Sequence, residues 1–228
     1  TVVIGGGVAG AAAATWLAGS GHNVTLLEKE KASHDKVCGE FISPAAQLYL
    51  DRLGWNPDTA EAATMKHFRL IRGSSILSNR LPFTARSLSR ACLDESLLQK
   101  AEQAGAMIRR GVKVAGLERV KGRWQIDLSG GDRIQVANVF LATGKHELRG
   151  WHRKTKRPSD FIGFKQHYYL STDQEQALAD HIEVYLFDGG YAGLAPLGGA
   201  ARPCRARAPS SADGDRVAAS LQHRRPRG

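Results

Sequence analysis

Few folds are open to a chain that begins as this one does. Thr1-Val2-Val3-Ile4 is a short β-branched run, and Gly5-Gly6-Gly7-Val8-Ala9-Gly10 follows it at once. That hexapeptide contains G-x-G-x-x-G, with glycines at 5, 7 and 10. Ala11 to Ala18 reads as a helix of small residues, closed by Gly19-Ser20-Gly21-His22. Asn23 to Leu27 then reads as a second apolar strand with Glu28 at its tip. A glycine motif between a strand and a helix, inside a β-α-β unit of about 30 residues and with an acid about 20 residues on, is a dinucleotide-binding pattern.

The chemistry explains the residue types. Gly5 permits the tight turn out of the strand, Gly7 lets backbone N–H groups approach a pyrophosphate, and Gly10 lets the helix lie close to the strand. The helix N-terminus offers unpaired donors and a partial positive charge, both suited to phosphate. Glu28 can accept hydrogen bonds from a ribose diol and would repel a 2′-phosphate, so NADP is disfavoured in this pocket.

The rest alternates strands with helices. Ser43-Pro44 marks a helix start, because Ser can cap and Pro suits the first helical position; that helix runs to about Leu53 and stops at Gly54. His67 to Ile71 and Ile76 to Leu81 read as two strands around Arg72-Gly73-Ser74-Ser75, with Pro82 ending the pair. Ser89 to Gly105 reads as a helix, with Cys92, Leu93, Leu97, Leu98 and Ala101 at helical spacing. Met107-Ile108 is a short strand. Residues 112–120, 123–128 and 133–136, separated by Lys121-Gly122 and Gly130-Gly131, read as an antiparallel meander. Asn138 to Ala142 is a continuous apolar run of the buried parallel type, ending at Thr143-Gly144. Residues 161–171 and 182–187 read as strands flanking a short helix at 172–180, and Asp188-Gly189-Gly190 turns the chain into residues 191–197.

Composition excludes several classes. No apolar run approaches the ~18 residues of a membrane span, although peripheral membrane contact stays open. No secretory signal is visible, and because the chain opens on a strand, native residues are expected before Thr1. Cys38, Cys92 and Cys204 have no metal spacing and no disulfide pattern, which favours a reducing, cytoplasmic setting. The eight histidines are scattered, so no metal is expected. The net charge of +10 invites a nucleic-acid reading. Half of that excess lies after Gly199, where seven arginines face only Asp213 and Asp215. The body is mildly basic, and no nucleic-acid partner is expected.

Taken together, the sequence resembles the FAD-dependent oxidoreductases of the para-hydroxybenzoate-hydroxylase-type fold, within them the geranylgeranyl-reductase-like branch. The residues that carry the resemblance are the glycine loop with Glu28, Lys36-Val37-Cys38-Gly39-Glu40, the helix from Arg90 to Leu98, and Ala142-Thr143-Gly144. Gly189-Gly190-Tyr191-Ala192-Gly193-Leu194 resembles a turn of that branch's substrate domain. The resemblance covers about residues 1–199. It implies an α/β architecture: a Rossmann-type FAD-binding domain with a three-stranded β-meander over 1–157, and a partial α+β substrate domain with an antiparallel sheet over 158–199, to which 55–85 contribute strands.

The resemblance also implies roles. Gly5, Gly7, Val8, Ala9 and Gly10 face the pyrophosphate, with Glu28 and Lys29 on the adenosine side. Cys38-Gly39 runs beside the flavin, Arg90 lies near the phosphates, Val114 contacts adenine through its backbone, and Thr143-Gly144 closes the carboxyl edge of the sheet. Other readings remain for two of them: Cys38 as a small buried residue and Arg90 as a surface arginine. Hydroxylases of this fold carry Asp-Gly where this chain has Thr143-Gly144, and a Trp-x-Trp-x-Ile-Pro stretch is absent, which count against the hydroxylase and halogenase forms. No catalytic residue is named by the sequence; His167 and Tyr168 are noted only for their position on a substrate-domain strand.

After Gly199 arginine, alanine, proline and serine dominate and no period survives. The expectation for 200–228 is a basic, disordered or aberrant tail on a C-terminally truncated chain, read from a shifted frame or a foreign end. A native tail for an acidic partner is the alternative. The functional expectation is an FAD-dependent reductase or dehydrogenase, with NAD(P)H as a possible external donor and an isoprenoid, aromatic or polyketide-like small molecule as substrate. An FAD monooxygenase or halogenase and a non-catalytic flavoprotein fragment are the alternatives, and the oligomeric state is open.

Overall fold

The computed structural model describes residues 1–38, 40–152, 161–198 and 216–224. Its contacts divide the chain into two units. The first comprises 1–34, 53–55 and 93–156, and the second 35–52, 56–92 and 157–228.

The first unit is built on β1 (Val2–Ile4) and β2 (Thr25–Glu28), joined by α1 (Val8–Gly19). They pair in parallel, Val2 with Thr25 and Ile4 with Leu27. The edges of this sheet are β6 (Met107–Arg110) beside β2 and β10 (Val139–Leu141) beside β1, both parallel. Val3 and Leu26 are fully buried, and α1 presents Ala11, Ala14 and Ala18 as its buried side chains. Small residues let a helix lie close to a sheet, and α1 uses almost nothing else there. The meander of β7 (Val114–Val120), β8 (Arg123–Leu128) and β9 (Arg133–Val136) packs against the parallel strands, with Ile126 and Leu128 joining Val2, Ile4 and Leu27 in one core. Burying side chains of this size stabilises by roughly 1.5–3 kcal/mol each.

One expectation needs correction here. The strand β10 is parallel, but Phe140 and Leu141 are 44% and 40% exposed. The apolar run lies at the edge of the four-stranded sheet rather than in its middle, and an unbroken apolar run does not distinguish the two.

The second unit holds a seven-stranded sheet in the order β11-β14-β13-β12-β4-β5-β3. Its members are β3 (Phe41–Ile42), β4 (Ala63–Arg72), β5 (Ser75–Ser87), β11 (Phe161–Tyr169), β12 (His181–Phe187), β13 (Gly190–Leu197) and β14 (Arg216–Arg224). The sheet is mixed rather than antiparallel, because β12 and β4 run parallel. Among the described residues, two helices belong to this unit, α2 (Pro44–Arg52) and α4 (Thr172–Leu178), while α3 (Arg90–Gln103) passes from the second unit into the first. No helix among the described residues is long and apolar enough to cross a membrane.

Two further expectations change in this sheet. Pro82 does not end its strand, since β5 continues to Ser87. The register shifts here, from Met65 opposite Ala85 to His67 opposite Arg80, so Pro82 sits in an irregularity where no ladder N–H is demanded of it. Residues 216–224, expected to be part of a tail without a period, form β14 between β11 and β13. Backbone hydrogen bonds on both sides supply what the side-chain pattern of this stretch does not announce. The remainder of 200–228 lies outside the described residues.

Candidate functional site

In the first unit, β1 ends directly at the glycine loop. Gly5 has φ +107° and its N–H donates to the Leu27 carbonyl at 2.8 Å. A Cβ at Gly5 would meet the Ala142 carbonyl, and one at Gly10 would meet the Gly5 carbonyl and stand 3.3 Å from the Ala142 side chain. The loop, the first turn of α1 and the end of β10 are therefore in backbone contact at the carboxyl edge of the parallel sheet. Thr143 follows immediately, its nitrogen 3.3 Å from the position a Gly5 Cβ would take.

No side chain caps α1, and no acid occupies its first turn. Gly7 is the N-cap residue, and its carbonyl accepts the first helical hydrogen bond from Ala11 at 2.9 Å. A helix start without a capping side chain leaves backbone donors for an anion. Glu28 faces the same loop from the end of β2. Its Oε2 accepts from the Gly6 N–H at 2.5 Å and its Oε1 from the Glu30 N–H at 2.9 Å. A carboxylate has about four acceptor positions, so two such bonds leave room for ribose hydroxyls. A Cβ on Gly6 would stand 2.9 Å from Glu28 Oε2, so glycine is what allows this approach. The residues present fit a dinucleotide.

Of the other positions named from sequence, Val114 contributes its side chain to the core beneath the meander. Lys29 is exposed and pairs loosely with Glu30 at 3.7 Å. Gly144 follows Thr143 with φ +68°.

The second unit holds Cys38 and Arg90, while Gly39 lies outside the described residues. Cys38 is half-buried, and its Sγ accepts from the Glu40 N–H at 3.5 Å. Arg90 starts α3, and its backbone N–H donates to Glu40 Oε1 at 2.8 Å. Glu40 stands in a segment that carries the resemblance, but sequence reasoning assigned it no role of its own. It is 2% exposed, has φ +54°, and ion-pairs with the Lys165 ammonium, itself nearly buried. The Glu40 Oε2 also meets His167 Nε2 at 3.0 Å, and His167 Nδ1 lies 3.4 Å from Asp35. Asp35 in turn accepts from the Ala91 N–H at 3.1 Å. Together Glu40 and Asp35 cap the start of α3 and bind the 35–40 loop to β11. The separation of 127 residues between Glu40 and His167 left no local signal for this.

Residues 1–80 match the family of FAD dependent oxidoreductases (DAO). That match covers the glycine loop, β2 and the start of the second unit, and FAD is the cofactor that the family's description names. The chain is 28% identical over 216 residues to a menaquinone reductase of Mycobacterium tuberculosis (strain CDC 1551 / Oshkosh), covering 86% of this chain and 52% of that protein. It thus spans about half the length of that relative. Among solved structures it resembles the halogenase PltM in complex with phloroglucinol and FAD, with a TM-score of 0.75 at 18% identity, over 100% of this chain and 53% of that one. The 2,6-dihydroxypyridine-3-hydroxylase of Arthrobacter nicotinovorans gives the same TM-score at 17% identity, over 100% and 56%.

Proposed function

We propose that this chain binds FAD through its glycine loop and serves an FAD-dependent reductase or dehydrogenase of the geranylgeranyl-reductase-like branch. The observation that carries the reading is the uncapped start of α1 facing a carboxylate already turned toward the loop. The N–H groups of Gly7, Val8, Ala9 and Gly10 take the pyrophosphate, and Glu28 takes the adenosine ribose. Thr143 and Gly144 border the cofactor at the sheet edge, and the β7 backbone at Val114 borders adenine. When bound, the flavin supplies the electron chemistry. The side chains and backbone of the loop bind it and set its orientation.

The relative's name, menaquinone reductase, favours an isoprenoid quinone as the substrate class, with NAD(P)H as electron donor. The Ala142-Thr143-Gly144 sequence, without the Asp-Gly of hydroxylases, also favours reduction over oxygen insertion.

Equilibration of the purified chain with FAD, followed by gel filtration, tests the reading. Flavin absorbance near ~450 nm should travel with the protein and disappear in Glu28→Ala. Free flavin eluting entirely apart from the wild-type chain would count against it. With NADH and a quinone, quinol should form without stoichiometric peroxide; peroxide release or substrate hydroxylation would move the assignment to a monooxygenase.

A further inference from the structure

The histidines are scattered in sequence, yet the second unit gathers two of them with an acid at one point. Asp180 follows α4 and precedes β12, with φ +53°. Its carbonyl accepts N–H groups from Lys66 at 2.8 Å and His67 at 3.1 Å, which pins it against β4. His67 and His181 are register partners on the parallel strands β4 and β12. Their rings stack at 4.9 Å with 25° between planes. Both Nδ1 atoms face the same oxygen, Asp180 Oδ1, at 3.0 Å from His67 and 3.1 Å from His181. The Ala179 carbonyl lies 2.6 Å from His181 Nδ1 and is a second acceptor for that nitrogen in its Nδ1-protonated tautomer.

We propose that His67, Asp180 and His181 form a binding site for a divalent transition-metal ion of the zinc or nickel class. The three ligand atoms lie within 4.8 Å of one another. Metal–ligand bonds of about 2.0–2.2 Å give neighbouring ligands about 3.0–3.5 Å apart, which the two histidine-to-Asp180 separations match, and ring rotation would bring the two Nδ1 atoms onto a shared ion. Two imidazoles and a carboxylate select zinc, nickel or copper over calcium or magnesium. Both histidines stand on one strand pair, so little ordering remains to be done on binding. The side chains are 35%, 39% and 20% exposed for His67, Asp180 and His181, which leaves an entry path and room for water ligands. Arg69, two residues along β4, is committed to Glu183 and the Ala177 carbonyl. Among the described residues a second cluster of suitable groups, Asp35, Glu40 and His167, already holds the Lys165 ammonium against Glu40, and a further cation there would be repelled. The ion takes an unprotonated Nδ1 from each imidazole, so a ring that carries its proton on Nδ1 binds as the tautomer protonated on Nε2.

Zinc chloride alone, titrated by calorimetry into the full chain without flavin, tests the site, so its outcome is independent of FAD binding. One ion per chain is expected. His67→Gln, His181→Gln and Asp180→Asn should each weaken binding by at least about tenfold, with circular dichroism unchanged; Asn tolerates the left-handed backbone at 180. A wild-type chain that takes up no zinc, or variants that bind as wild type does, would overturn the proposal. Should a variant fail to fold, the histidine ring resonances of the wild type decide. Shifts at His67 and His181 with the first equivalent of zinc are expected, and shifts confined to other histidines overturn the assignment.

Discussion

Gly10 shows most directly what one residue does here. A Cβ at this position would collide with the Gly5 carbonyl, a backbone atom that cannot rotate away. Gly10→Ala should therefore push α1 off β1, with a loss of about 1–3 kcal/mol in denaturant unfolding and loss of FAD retention. Retained flavin at unchanged stability would refute this geometry. Tyr185 is a second case. Its hydroxyl donates to Glu183 Oε2 at 2.6 Å, and that hydrogen bond, with burial and the Glu183 charge, pushes the phenol up to about 12. A raised phenol favours the folded state below the ordinary value of 10.0 and loses that advantage as pH rises toward about 12. Titration at 295 nm should show one tyrosine ionising late, absent in Tyr185→Phe. At this scale the sequence discloses the glycines and Glu28, because their spacing is local. It hides Glu40 with His167, and His67 with Asp180, because each pairing spans more than 100 residues.

At the scale of elements, periodicity reveals α1, α3 and the meander, where a buried face and clear turn glycines agree. It fails where pairing outranks pattern: β5 runs through Pro82, and β14 forms between two strands that complete its hydrogen bonds. The junction of α3 with β6 illustrates how charges bind elements together. Arg110 makes two hydrogen bonds of 2.8 Å to Glu95, and Ser33 adds a third at 2.8 Å. Burial alone would raise the Glu95 carboxyl, but these bonds and the Arg110 charge outweigh it and hold it below the ordinary value of 4.5. A depressed carboxyl contributes stability above its unfolded value and loses it as pH falls through the folded one. Glu95→Gln should cost about 1 kcal/mol near neutrality and make unfolding less steep in pH below about 4.5. Denaturant midpoints across that range read both effects, and parallel acid limbs for the two proteins would dismiss the pairing.

At the scale of the whole chain, each unit closes its own sheet, and β14 is where this matters most. It pairs with β11 from Phe161 to Tyr169 and with β13 from Gly190 to Leu197, so it is the only described element that joins those two strands. Without it β11 has no strand partner in the described sheet, whereas β13 retains β12. A variant ending after residue 198 should therefore show a graded loss of protection in amide hydrogen exchange. Exchange across 161–169 should approach that of open chain, 190–197 should become intermediate, and the β4–β5 hairpin should be unchanged. The parallel sheet of the first unit, which owes β14 no hydrogen bond, should keep its protection and its flavin. Full protection of 161–169 in the shortened chain would mean that β11 is held by something other than β14, and the seven-stranded order would have to be redrawn.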